Sequence, residues 1–231
     1  MCKVELCDDI EPPIYNSHNL AVKKGVIHKR GDAIMQKTRL TVTITDGDVC
    51  SSIQSNSAVM RSYDVISVIP TSDKTFQAAC TSLDVDIISI PVSSVKLPFH
   101  LNKQYIAAAI SRGVMFEIIY THALQNKSSR KNLFTNAAAL IRICRGENII
   151  LSSASKELLD LRGPHDIVNL AVLFGLKKHQ GLRALSDNCH KAILHGESRR
   201  VFKCAIDIRD GPSMDIEGGG EVEDDEEMIR L

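Results

Sequence analysis

The chain has 231 residues, of which 44% are hydrophobic and 24% are charged, and its formal net charge is zero. This length and composition suit one large α/β domain or two small ones around a substantial apolar core. No apolar run approaches the roughly 20 residues that a membrane span needs, and the first residues lack the basic start and long apolar centre of a signal peptide. We therefore expect a protein that works inside the cell.

The predicted elements alternate along the chain. Five short segments rich in Val and Ile predict strands, at residues 40–45, 63–70, 83–91, 113–120 and 148–153. Segments with helical spacing lie between and after them, at residues 73–82, 102–111, 128–145, 164–175 and 178–194. Strands joined by single helices predict right-handed βαβ units and a parallel sheet.

The number of predicted strands is too small for a closed barrel. A parallel α/β barrel takes about eight strands in roughly 250 residues, whereas five are predicted here. We expect an α/β, TIM-barrel-like parallel barrel that is incomplete at its N-terminus. We divide the chain into an irregular lead-in at residues 1–37 and a barrel-like domain at residues 38–209.

The zero net charge hides an uneven distribution of acids and bases. Residues 210–231 contain nine acidic residues and one basic residue, so the body keeps 27 basic and 19 acidic residues and a net charge of +8. The tail has three consecutive glycines and few apolar side chains, and it cannot bury enough surface to fold. We predict a disordered acidic C-terminal tail behind a basic domain.

Motifs for the common catalytic sites are absent. No GxxxxGK[ST] or GxGxxG phosphate loop, GxSxG elbow or HExxH helix occurs, and the seven cysteines are scattered without a CxxC pair. A metal site built from Glu117 and His165 would need further ligands, for which Asp64, Asp84 and Asp86 are available. These aspartates more simply cap the starts of strands, at the edge opposite to catalysis.

Basic side chains cluster at the ends of the predicted elements. Any one of them is more often an ordinary surface charge, but as a set on a body of +8 they favour a polyanion such as RNA. Aromatic residues make up only 4% of the chain and Trp is absent, so recognition of backbone and shape fits better than stacking on bases. The set contains Arg112, Lys127, Arg130, Lys131, Arg145, Arg162 and Arg199-Arg200.

Several sequence blocks together resemble one family. The blocks YDVISVIP, LDVDIISIP, KLPFHL, NIILSSAS, LRGPHDIVNLAVLFGL and NCHKAILHGESRR are similar to the barrel-type protein subunit of archaeal and eukaryotic ribonuclease P, which eukaryotes share with ribonuclease MRP. The resemblance is dense between residues 63 and 200. Family members begin with an Asp-rich strand, a helix and a second strand, which are not found before Glu11, so the first two strands are expected to be missing.

This resemblance implies a fold, a function and partners. The fold would be a TIM-like barrel related to polymerase and histidinol phosphatase (PHP) domains. The protein would be a non-catalytic subunit in the nucleus and nucleolus that binds the ribonuclease P or MRP RNA and assists 5′ maturation of precursor tRNA and rRNA processing. It would pair with a ferredoxin-like companion subunit and other ribonuclease P proteins, and Mg²⁺ would serve the RNA catalyst.

The same resemblance selects the residues expected to contact RNA. They are Arg112 in SRG, Arg130 and Lys131 at a helix start, Arg162 in RGP, Arg199 in GESRR and Lys96 in KLP. No catalytic residue, bound cofactor or metal site is expected in the protein itself, because the HxH motif with which the phosphatase relatives bind metal is absent. The alternative function is a PHP-like metal-dependent phosphoesterase.

Overall fold

The computed structural model describes residues 37–45, 50, 53, 57–121, 124, 127–155 and 158–200. Its centre is a parallel five-stranded sheet in which the strands follow one another in chain order. The strands are β1 (Arg39–Ile44), β2 (Val65–Pro70), β3 (Ile87–Ser89), β4 (Met115–Ile119) and β5 (Ile149–Ser152). All carboxyl ends therefore lie along one edge of the sheet and all amino ends along the other, which we call the carboxyl and amino edges.

Helices connect the strands and follow the last one. They are α1 (Ser57–Ser62), α2 (Asp73–Thr81), α3 (Lys103–Ser111), α4 (Lys127–Cys144), α5 (Pro164–Leu173), α6 (Lys178–Leu185) and α7 (Asp187–Arg200), with a short 3₁₀ turn at Leu158–Asp160. Helices α2 to α6 contribute to the larger apolar core, which covers one face of the sheet through residues such as Ile66, Ile88 and Phe116. This face is the outer wall of the barrel-like sheet.

Helix α7 crosses the other, inner face near the amino edge. Ala192, Cys189 and Ile193 of α7 pack on the first inward-facing side chains of four strands, which form a second apolar cluster of Val65, Ile87, Met115 and Ile150. Closer to the carboxyl edge the inner face becomes polar, because serines and a glutamate replace these apolar side chains at the next inward positions. The inner face thus has an apolar half under α7 and a polar half beyond it.

The predicted α/β class with a parallel, helix-covered sheet is confirmed, and each of the five predicted strands is present. The predicted helix at residues 178–194 is wrong in its extent. Ser186 leaves the helical conformation (φ −123°, ψ −83°) and separates α6 from α7, which continues to Arg200. The break lets α6 pack on α5 while α7 turns onto the inner face.

Some sequence predictions lie outside the described residues. These are the lead-in at 1–37, of which only Lys37 is described, and the acidic tail at 210–231, together with the end of the domain at 209. Within the described part of the chain, no helix has the length and apolar character required to span a bilayer.

Candidate nucleic-acid interface

The loop after β3 is fastened to helix α4 at the carboxyl edge. The side-chain amides of Asn132 and Asn136 donate hydrogen bonds to main-chain carbonyls of residues 92–94, over 2.8 to 3.2 Å. Lys96 follows this anchored segment by two residues and is exposed. The two asparagines therefore hold Lys96 beside the first turns of α4.

Helix α4 begins with a group of exposed cations. Lys127, Arg130 and Lys131 are exposed in its first turns, and no acidic residue occurs there. The amino end of a helix carries a partial positive charge, so cations in this position are mildly unfavourable to the helix. Together with Lys96 they form a basic rim that suits phosphate groups, and three of the six predicted RNA-binding residues meet there.

Arg162 lies at the carboxyl edge on the β5 side. It is exposed, and its guanidinium donates to the carbonyls of Leu159 and Leu161 at 2.6 and 3.1 Å. Its main-chain N–H points at the hydroxyl of Tyr120, which follows β4. These contacts fix the corner before α5 while one face of the guanidinium stays open to solvent, as a phosphate contact requires.

Arg112 lies at the opposite, amino edge and is bound within the protein. Its guanidinium donates to the carbonyl of Cys80 at 3.0 Å and to the carbonyl of Leu83. A third, longer hydrogen bond runs to the carbonyl of Ala79 at 3.5 Å. The carbonyls of Ala79 and Cys80 belong to the last turn of α2 and lack partners within the helix. Arg112 therefore caps the end of α2, and its assignment to RNA stays a prediction.

Arg199 also lies at the amino edge, where its side chain is only 5% exposed. It pairs with Asp86, which is completely buried, at 3.1 Å, and it donates to the carbonyls of Met60 and Tyr63. His195 Nδ1 lies 2.7 Å from the other oxygen of Asp86. Arg199 thus ties α7 to the starts of β2 and β3, and its assignment to RNA likewise stays a prediction.

Of the three aspartates expected to cap strands, Asp64 and Asp86 receive main-chain and side-chain donors, whereas Asp84 is exposed. Asp86 accepts from the N–H of Ile66 at 2.7 Å, and Asp64 accepts from the N–H and hydroxyl of Thr38 at 2.7 and 2.9 Å. Arg200 reaches Asp64 from α7. In the described residues, no group of three His, Cys, Asp or Glu side chains is arranged to hold a metal ion.

The different surroundings of Arg112 and Arg162 lead to a stability prediction. Arg112→Ala leaves at least two α2 carbonyls without a donor, so we expect the free energy of unfolding to fall by about 1–3 kcal/mol. Arg162→Ala, at an exposed corner, is the control and should cost less than about 1 kcal/mol. Urea unfolding of both variants measures this difference, and equal losses would contradict the capping role of Arg112.

Comparison with known proteins gives consistent results over most of the chain. The family model described as RNase P subunit p30 matches residues 6–201. The mouse ribonuclease P protein subunit p30 is 40% identical over 193 residues, which cover 84% of this chain and 71% of the mouse protein. The ribonuclease P/MRP protein subunit RPP1 of Saccharomyces cerevisiae is 28% identical over 179 residues, 75% of this chain and 60% of the yeast protein.

The fold is also found in a solved structure. A chain in a cryo-EM structure of archaeal ribonuclease P with mature tRNA superposes with a TM-score of 0.62, covering 93% of this chain and 87% of that chain. Its sequence identity of 12% makes this likeness one of fold. The family model spans α1 to α7 and every strand of the sheet. The chain therefore belongs to the RNase P subunit p30 family.

Proposed function

We propose that the protein is a subunit of ribonuclease P that binds the RNA of the enzyme and assists 5′ maturation of precursor tRNA. The observation that carries this proposal is the family match over residues 6–201. The basic rim supports it, because several cations on a fixed frame suit the phosphates of a folded RNA. The comparisons favour this role over a PHP-like phosphoesterase.

In this role the protein supplies positive charge and shape rather than a reacting group. Lys96, Arg130, Lys131 and Arg162 would neutralise phosphates at the carboxyl edge, where the loops are held by hydrogen bonds to α4 and to Tyr120. Cleavage would belong to the RNA and its Mg²⁺ ions. Because each neutralised phosphate releases counterions, the affinity for RNA should fall steeply as salt rises.

Partners and location follow from the same proposal. The yeast relative carries MRP in its name, so we extend the role to ribonuclease MRP and rRNA processing. A eukaryotic subunit of this kind would act in the nucleus, and we propose the nucleolus within it. We also propose that a ferredoxin-like companion subunit pairs with this chain.

The rim can be tested directly with the full chain and a ribonuclease P RNA transcript. The variant Lys96→Gln, Arg130→Gln, Lys131→Gln should bind more weakly. Its slope of log Kobs against log salt concentration should be shallower by roughly 2 to 3, as for three lost phosphate contacts. Measuring the affinity across a series of salt concentrations tests this expectation. An unchanged slope would show that the basic rim does not contact the RNA.

A further inference from the structure

Helix α4 carries cations at both of its ends on one solvent-facing stripe. Lys131, Thr135, Ala138 and Arg142 follow one another at spacings of four, three and four residues, which places them on a single face of the helix. Arg145 comes directly after Cys144, the last residue of the helix. The stripe contains only small uncharged residues between its two basic ends, and residues 127–145 include no acidic residue. At 1.5 Å per residue, the two ends lie roughly 20 Å apart.

The far end of the stripe opens into a groove at the amino edge. The groove has a volume of about 380 Å³ and lies between the end of α4 and the turn from α5 to α6. Its rim bears Arg142, Arg145 and Lys177, and its floor includes Ile141 and Phe174. None of these three cations forms an ion pair with another residue of the described part. The nearby Glu147 pairs with Arg183.

A glutamine amide fixes the two walls of the groove to each other. Gln180 Nε2 donates to the carbonyl of Arg145, and Gln180 Oε1 accepts from the main-chain N–H of Lys177, both at 3.0 Å. Gly146 makes room for this amide, because a Cβ there would lie 2.4–2.7 Å from the atoms of the Gln180 side chain. The main chains at Arg145 and Lys177 therefore keep a fixed separation.

Helix stability explains only part of this arrangement. Arg142 and Arg145 complement the negative end of the α4 dipole, but Lys177 belongs to another element and faces the same groove. Three like charges around one groove repel each other, and an anion between them would offset that repulsion. The apolar floor excludes some of the water that would otherwise screen the interaction.

From this geometry we infer that the groove of Arg142, Arg145 and Lys177 is a second phosphate-binding surface. It takes the sugar–phosphate backbone of RNA, roughly 20 Å along α4 from the basic rim. This inference rests on the proposed RNA-binding function. The protein then contacts RNA at both edges of the sheet, and α4 is the rigid spacer that fixes the distance between the two contacts.

The test uses the variant Arg142→Gln, Arg145→Asn, Lys177→Gln in the full chain. Asn suits position 145, where the backbone has a positive φ of 56°. With a ribonuclease P RNA transcript, we expect lower affinity and a slope of log Kobs against log salt concentration that is shallower by roughly 2 to 3, as for three lost phosphate contacts. The control is Lys74→Gln with Lys191→Gln, two exposed lysines outside both surfaces, and it should change the slope by much less. Thermal unfolding of each variant checks that it is folded.

A second measurement uses the unaltered protein and does not depend on how the variants fold. Lysine acetylation followed by mass spectrometry should show Lys177 protected by the RNA, while Lys74 and Lys191 react as in the free protein. A groove variant that keeps the wild-type slope, or a Lys177 that reacts fully in the complex, overturns the inference and leaves the proposed function standing. A wild-type protein without salt-dependent RNA binding overturns the proposed function itself.

Discussion

Asp86→Asn should lower the free energy of unfolding by about 3–5 kcal/mol, because it leaves the Arg199 guanidinium buried beside a neutral group. Asp86 is completely buried and Arg199 is 5% exposed, so water cannot replace the lost charge. The asparagine oxygen can still accept from the N–H of Ile66, so this hydrogen bond is retained. Equilibrium urea unfolding at neutral pH measures the change.

The control for this substitution lies two residues away in the same segment. Asp84 is exposed, so Asp84→Asn should change the free energy of unfolding by no more than about 0.5 kcal/mol. If Asp86→Asn and Asp84→Asn lower the free energy of unfolding equally, the buried pair of Asp86 and Arg199 does not hold α7 in place.

The same cluster makes stability depend on pH through His195. Its hydrogen bond to Asp86 raises the pKa of His195, against the effect of burial, and the charge of Asp86 and the Arg112 carbonyl add to the increase. A raised pKa contributes stability that is fully present below the unfolded value of about 6.5 and is lost as pH rises through the folded pKa. The stability difference between wild type and Asp86→Asn should therefore shrink as the pH is raised through this range.

The fold could be predicted from sequence because its signals are local. Runs of Val and Ile mark the strands, and alternation with helical spacing gives the parallel sheet. Hydrophobic periodicity does not show the break at Ser186, because neither Ser186 nor Asp187 is a strong helix breaker and the direction of α7 depends on packing against the inner face. Ser before Asp is a helix-start signal that could have indicated this break.

The site was predictable only in part, since sequence does not show which way a cation faces. Like Arg130 and Arg162, Arg112 and Arg199 lie at the ends of predicted elements. The guanidinium of Arg112, however, binds main-chain carbonyls, and that of Arg199 binds a buried carboxylate. The proximity of Lys96 to α4 depends on Asn132, whose partner lies 39 residues away in the chain. The cations at the two ends of α4, with no acidic residue between them, are a local signal that could have indicated the groove.

The partner of Glu117 could not be predicted either, because it lies 78 residues away. Arg39 of β1 forms two hydrogen bonds with the two oxygens of Glu117 on β4, at 2.5 and 2.6 Å. Two strands lie between β1 and β4, and on a flat sheet about 14 Å would separate the outer two. The pair therefore favours a curved sheet with Arg39 folded over the polar half of the inner face.

Arg39→Met should lower the free energy of unfolding at neutral pH by about 3–5 kcal/mol, because Glu117 is 1% exposed and would become a buried charge without a cation. Adding Glu117→Gln should restore most of the loss, since an amide can still bond to Ser152 and carries no charge. Urea unfolding of the single and double variants tests this. A double variant as unstable as Arg39→Met would show that packing of the arginine stem, rather than the charge pair, is responsible.

The pH dependence separates these two explanations further. Burial raises the pKa of Glu117, but the hydrogen bonds and charge of Arg39, with Ser152 and Ser89, outweigh it, so the pKa is lowered overall. In the wild type the lowered pKa of Glu117 stabilises the fold at pH values above the unfolded pKa. This stability is lost as the pH falls through the folded pKa. Without Arg39 burial dominates and the pKa rises, so Arg39→Met should regain stability relative to wild type on acidification. If the difference in free energy of unfolding between wild type and Arg39→Met stays constant from neutral pH down to about pH 4, the charge of Glu117 is not its cause.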